Sequence, residues 1–235
     1  MKSKVRIGFL TPLLSALLMP VNADNVILLH GLARSDKSMV TLQRVLEKKG
    51  YCVINSDYNS RAGDIKTLAV KAIEPALAAC RPGQPVHFVT HSMGGILVRQ
   101  YLALHQIDNL GRVVMLGPPN QGSEVVDNFR NTPGFHFFHG DAGLELGTGE
   151  ASVPNKLGEA DFDLGIIAGT RTVNLILSTM IPGANDGKVS VESTRLEGMK
   201  DHIEMGVTHP FMMSNDAVIE QVVHYLESGR FKRSI

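Results

Sequence analysis

The sequence predicts an α/β protein, a compact and about six-stranded, mainly parallel sheet with helices on both faces. Three observations carry this. Short apolar runs of strand length alternate with longer stretches whose apolar residues recur on a helical period. Each run is apolar at nearly every position, which marks strands buried on both faces. Turns rich in glycine and polar residues recur at the carboxyl ends of these runs, where such sheets bind their ligands.

Length and charge narrow the classes of function. A chain of 235 residues, 43% hydrophobic and 20% charged, is large enough for one domain with a full core. A net charge of 0 without a long basic run argues against nucleic-acid binding. Residues 1–23 read as a secretory leader. Lys2, Lys4 and Arg6 form its positive start, and Ile7 to Met19 is mostly apolar but short for a membrane span. Val21-Asn22-Ala23 places small residues at the −3 and −1 positions, so cleavage is expected between Ala23 and Asp24. That makes an exported, periplasmic or secreted protein whose net charge moves from 0 to −3. An uncleaved anchor is the alternative.

The first strand is Asn25-Val26-Ile27-Leu28-Leu29, ending in His30-Gly31-Leu32. Ser35 to Lys49 has helical spacing through Met39, Leu42, Val45 and Leu46, and Gly50 ends it. Tyr51 to Asn55 is the second strand. The polar loop after it carries Tyr58, which either touches substrate or only connects. Asp64 to Cys80 is a second helix, with a kink expected at Pro75. Cys52 and Cys80 then lie where a helix returns to the start of its strand. Two readings stand for them: a disulfide, which suits an exported chain, or two buried thiols. Two cysteines without nearby paired histidines give no metal site, and no cofactor is expected.

Val86 to Thr90 is a buried strand and Ile96 to Leu102 the helix after it, so Ser92 stands on a sharp strand-to-helix turn. Arg112 to Leu116 follows, ending at Gly117-Pro118-Pro119-Asn120. Residues 120–163 are less regular. A short helix holds Val125, Val126 and Phe129, then come the aromatics Phe135, Phe137 and Phe138 and a glycine-rich, turn-prone stretch to Gly149. Asp163 to Gly169 and Asp201 to Val207 complete the strands. Between them Asp186-Gly187 is a turn leading into the alternating Val189-Ser190-Val191. A last helix, about Ser214 to Glu227, carries Val218, Val222 and Leu226, and Arg230 to Ile235 reads as a frayed basic tail.

The stretch His91-Ser92-Met93-Gly94-Gly95 resembles the nucleophile elbow of the α/β-hydrolase superfamily, with Thr90 where the pattern has its first glycine. With the Pro119-Asn120-Gln121-Gly122-Ser123-Glu124 loop and the Asn185 to Thr194 segment, the resemblance is closest to small bacterial lipases and GPI inositol-deacylase-like esterases. It implies Ser92 as nucleophile, Asp186 as the acid and His209 as the base, in the chain order of that superfamily. Leu32 and Met93 would supply the oxyanion-hole amides, with His30 and Gly31 beside the substrate. Asp161 and Asp163 precede their strand, and His202 begins one, so they belong at the wrong end of the sheet.

The implied activity is an exported carboxylic-ester hydrolase of lipase type working through an acyl-enzyme. Phe135, Phe211 and Met212 motivate an acyl or lipid substrate and transient contact with a membrane surface, and each equally suits a core. Residues 120–163 form either a cap over the site or loops packed on the body. An acyltransferase or thioesterase on the same site, or a non-catalytic binding protein, are the competing readings.

Overall fold

The computed structural model describes residues 24–173 and 178–233; the expected leader, residues 1–23, lies outside them. Six strands make one sheet: β1 Asn25–Leu29, β2 Cys52–Asn55, β3 Val86–His91, β4 Leu110–Leu116, β5 Leu164–Gly169 and β6 Asp201–Met205. Their order is β2-β1-β3-β4-β5-β6 and every neighbouring pair is parallel. All strands therefore end at one edge, where the connecting loops gather.

The apolar runs are continuous because alternate residues serve opposite faces. Ile27, Leu29, Phe88, Met115 and Ile166 join one core layer, beneath α2 (Ile65–Ala78) and α3 (Met93–Leu102). Val26, Leu28, Val89, Leu116 and Ile167 join the other, beneath α1 (Val40–Lys48) and α8 (Asp216–Ser228). The stretch read as one helix from Ser35 opens with a 3₁₀ turn, Asp36–Met39, before α1. α2 runs through Pro75 unbroken and is capped by Asp64, whose carboxylate accepts from the Thr67 amide at 2.7 Å.

Residues 120–163 hold three helices, α4 Glu124–Phe129, α5 Phe135–Leu144 and α6 Val153–Lys156. They lie on the α2–α3 face, with Val126, Phe135, Ala142 and Leu146 in its core layer. α5 corrects the reading of a turn-prone stretch. Gly140 breaks its helical geometry at φ 66 and sits where a Cβ would stand 2.6 Å from the Arg61 carbonyl oxygen. The alternating Val189-Ser190-Val191 run leads into a helix. Asn185 and Ser190 form an isolated bridge, and the Ser190 hydroxyl then caps α7, Val191–Thr194.

Two further expectations are corrected. Of the two readings for the cysteines the disulfide falls: Cys52 and Cys80 are free thiols, both half-buried. The Cys80 sulfur turns back to donate to the Ala76 carbonyl at 3.4 Å, and burial, aided by Cys52, pushes it up to about 11. The basic tail is pinned as far as Arg233, not frayed, and 234–235 lie outside the described residues. Phe231 is buried against Tyr225, its amide donates to Asp201 at 2.7 Å, and Arg233 pairs with the same carboxylate. No helix among the described residues is long and apolar enough to cross a membrane.

Candidate active site

Ser92 is one of two non-glycine residues among those described with positive φ, at φ 54 and ψ −124. Such a conformation costs about 1–3 kcal/mol and persists only where its surroundings enforce it. Three contacts do so here. The Ser92 amide donates to the Leu116 carbonyl at 2.9 Å, tying the turn to β4. At Gly94 a Cβ would stand 2.6 Å from the Leu29 carbonyl oxygen, so only glycine lets α3 press onto β1. At Gly95 a Cβ would stand 3.0 Å from the Met115 sulfur and 3.2 Å from the Thr90 hydroxyl. This second glycine is what makes room for Thr90 in place of the usual glycine, although the Thr90 hydroxyl has no partner among the described residues.

Asp186 and His209 come together at the same edge of the sheet. His209 Nδ1 meets Asp186 Oδ2 at 2.6 Å, and the His209 amide donates to the Asp186 carbonyl at 3.1 Å. The other carboxylate oxygen, Oδ1, accepts from the amides of Lys188 and Val189, both at 2.9 Å. Asp186 is 1% exposed, so its charge is held by fixed donors and shielded from water. Asn185 braces the turn, its Oδ1 accepting from the Gly187 amide at 3.0 Å. Gly117, at φ 54, leaves space for the pair: a Cβ there would stand 2.9 Å from Asp186 Oδ2 and 3.2 Å from His209 Nδ1. With Nδ1 donating to the carboxylate, the lone pair of a neutral ring lies on Nε2.

Ser92, Asp186 and His209 line one cavity of about 320 Å³. Among the described residues neither Ser92 Oγ nor His209 Nε2 has a hydrogen-bond partner. Bonds of this kind commonly close only around a substrate. His91 supports the arrangement from below. It is fully buried, its Nε2 bonds the His209 carbonyl at 3.0 Å, and its ring packs 4.7 Å from the His209 ring. Burial holds the His91 ring well below the ordinary histidine range, so it is neutral.

The loop after β1 faces Ser92 closely. A Cβ at Gly31 would stand 3.0 Å from the Ser92 Cβ. Leu32 lines the cavity, Met93 is the first residue of α3, and neither amide has an acceptor among the described residues. Gly31 and Phe135 also line the cavity. The other residues expected at the substrate do not. His30 and Tyr58 lie beneath the loop, stacked 4.1 Å apart, with the Tyr58 hydroxyl donating to the His30 carbonyl. The Gly31 and Tyr58 carbonyls lie 2.9 and 3.1 Å from His30 Nδ1 and Nε2, a neutral ring donating to one of them, and the His30–Tyr58 stack braces the loop from beneath. Met212 is fully buried in the core layer behind Gly117. Phe211 is 59% exposed beside Pro210, which does line the cavity.

Of the rejected residues, Asp163 takes the Tyr225 hydroxyl at 2.7 Å and the Lys200 ammonium at 2.8 Å, before β5 begins. His202 bonds the Thr194 hydroxyl, and burial pushes it down to about 4. Sequence reasoning passed over Arg34, Leu146 and Lys188, all in the cavity wall. Arg34 and Lys188 stand two or three residues from Gly31 and Asp186, and that proximity was the available signal.

A family model described as the alpha/beta hydrolase fold matches residues 24–137. Among solved structures, the mature lipase BlEst2 of Bacillus licheniformis is 20% identical, with a TM-score of 0.68 over 88% of this chain and 93% of that one. The metagenomic carboxyl esterase MGS0156 is 16% identical, with a TM-score of 0.65 over 88% and 76%. Phospholipase PlaB of Legionella pneumophila is 20% identical, with a TM-score of 0.57 over 72% of this chain and 45% of that one. At such identities the structural likeness is one of fold. No curated protein matches by sequence. Sheet order, elbow and family model together give the chain the α/β-hydrolase fold.

Proposed function

We propose that the protein is an exported serine esterase of lipase type. The observation that carries this is the strained Ser92 sharing a cavity with a histidine whose Nδ1 is locked to a buried carboxylate. In this reading Ser92 Oγ attacks the ester carbonyl carbon while His209 Nε2 takes its proton. The carbonyl electrons move onto oxygen, where the Leu32 and Met93 amides stabilise the oxyanion; one such donor is worth about 3 kcal/mol. Collapse breaks the C–O bond to the alcohol, which leaves with the proton from Nε2. Water then repeats the sequence on the acyl-enzyme and releases the acid. Asp186 holds the tautomer and stabilises the imidazolium without accepting its proton.

Val125, Val126, Phe135 and Leu146 supply an apolar wall suited to an acyl chain, and residues 120–163 serve as the cap that carries it. Phe137 and Phe138, 79% and 58% exposed and packed edge to face, suit contact with a lipid surface. The lipase, esterase and phospholipase of the same fold support the reaction class. Hydrolysis of p-nitrophenyl butyrate tests it: Ser92→Ala should lose about 10⁴-fold or more in kcat with its circular dichroism unchanged. Equal rates for the two proteins would refute Ser92 as nucleophile. Export predicts a mature chain beginning at Asp24 in the mass spectrum, and a chain retaining Met1 would refute cleavage.

A further inference from the structure

The cavity wall has an uneven charge. Among the described residues its only carboxylate is Asp186, which is buried and already committed to His209 and two amides. Against it stand two cations, Arg34 from the loop after β1 and Lys188 from the Asp186 turn. Both residues keep part of their surface open to solvent while the Lys188 ammonium lies in a crowded part of the wall, and neither side chain makes an ion pair or hydrogen bond with a described residue. Other cations, such as Arg44, Lys66 and Arg81, are also without an ion pair among the described residues; what sets Arg34 and Lys188 apart is that both stand in the wall of the cavity that holds Ser92.

The two cations are near enough that Arg34 helps burial hold the Lys188 ammonium below its ordinary range. The one carboxylate acting on Lys188, Asp186, is already bonded to His209 and two amides, so bringing the two like charges together costs energy that this carboxylate only partly offsets. Their backbones are anchored to the reacting groups. The Arg34 amide donates to the Gly31 carbonyl at 3.3 Å, and the Lys188 amide donates to Asp186 at 2.9 Å. The Lys188 carbonyl accepts from the Ser123 hydroxyl at 2.9 Å. An anion held between these side chains would be fixed in register with Ser92. The apolar residues Val125, Val126 and Phe135 come from another segment, so the wall divides into an apolar part and a cationic part.

We propose that the natural substrate is an ester bearing a carboxylate or phosphate a few bonds from the scissile carbonyl, held by Arg34 and Lys188. The inference rests on the esterase reading and adds the substrate class. A guanidinium fork and an ammonium together suit either anion. A low-dielectric cleft of one sign also raises the local concentration of such substrates.

Two matched substrate pairs test this and tell the sources of the anion apart. p-Nitrophenyl adipate half-ester against p-nitrophenyl hexanoate places the charge on the acyl side. 1-Butyrylglycerol 3-phosphate against 1-butyrylglycerol places it on the alcohol side. The readout is the ratio of kcat/KM within each pair. In at least one pair the anionic ester should be favoured about tenfold or more, chiefly through KM. Arg34→Gln and Lys188→Gln should each cut that ratio severalfold, Lys188→Glu should reverse it, and raising NaCl should shrink it in the wild type. Ratios near one in both pairs, or a preference that survives both glutamine variants, overturn the proposal and leave the esterase reading intact. No hydrolysis of any ester, with Ser92 unreactive toward a fluorophosphonate, removes the reading and the proposal together.

Discussion

At the carboxyl ends of the strands His209 meets Asp186 at 2.6 Å; at the amino ends His87 meets Asp24 at 3.4 Å. Both histidines are buried; His87 lies in β3, and His209 opens the 3₁₀ turn that follows β6. Their carboxylates differ. Asp186 is 1% exposed and saturated by backbone donors, whereas the Asp24 side chain is 31% exposed. The second ring nitrogens differ more. His87 Nδ1 accepts the Arg112 amide at 2.7 Å, so that ring is consumed by the fold. His209 Nε2 is left for a reaction partner in a cavity that also holds Ser92. A histidine–aspartate contact is therefore not a site in itself. What makes one is a nitrogen that the fold leaves unsatisfied, next to a serine that the fold keeps strained.

Substitution of the two aspartates breaks the comparison most sharply. Asp186→Asn should lower kcat on a p-nitrophenyl ester by about 10⁴-fold, because the ring loses its tautomer and its counter-charge. Asp24→Asn should change kcat by less than about twofold, since a partly exposed pair carries little free energy. Similar losses in both variants would erase the distinction between the two ends. A smaller effect comes from glycine. Gly117→Ala puts a methyl 2.9 Å from Asp186 Oδ2 on a backbone of φ 54. It should cost about 100-fold in kcat/KM, the scale of a displaced catalytic group. Gly111→Ala puts a methyl 2.6 Å from the His87 ring. It should cost about 1–3 kcal/mol of stability by denaturant unfolding and leave kcat near the wild-type value. If Gly111→Ala disabled the enzyme while fully folded, the amino end would matter to the chemistry.

The frame was legible in the sequence for a physical reason. Parallel strands buried on both faces must be apolar throughout, and an elbow must have small residues after its serine, so six strands and the Ser92 turn were readable from local sequence alone. What escaped depends on contacts distant along the chain. Tyr58 looked like an exposed loop aromatic because nothing local announces its stack on His30. Met212 looked like a substrate contact because its burial behind Gly117 is set by the packing of β4 against the last 3₁₀ turn. α5 was hidden by Gly140 and Gly143, which dilute the apolar period and which the packing against Arg61 and His139 requires. Val189 and Val191 imitate a strand, but the Ser190 cap between them starts a helix.

The central claim is that Ser92 is a nucleophile activated by the Asp186–His209 pair. Labelling with a fluorophosphonate, followed by peptide mass spectrometry, addresses it directly. The account predicts one adduct on the peptide containing Ser92, absent in Ser92→Ala and formed far more slowly in His209→Ala. Undiminished labelling of Ser92→Ala, or no adduct on the folded wild-type protein, would contradict it.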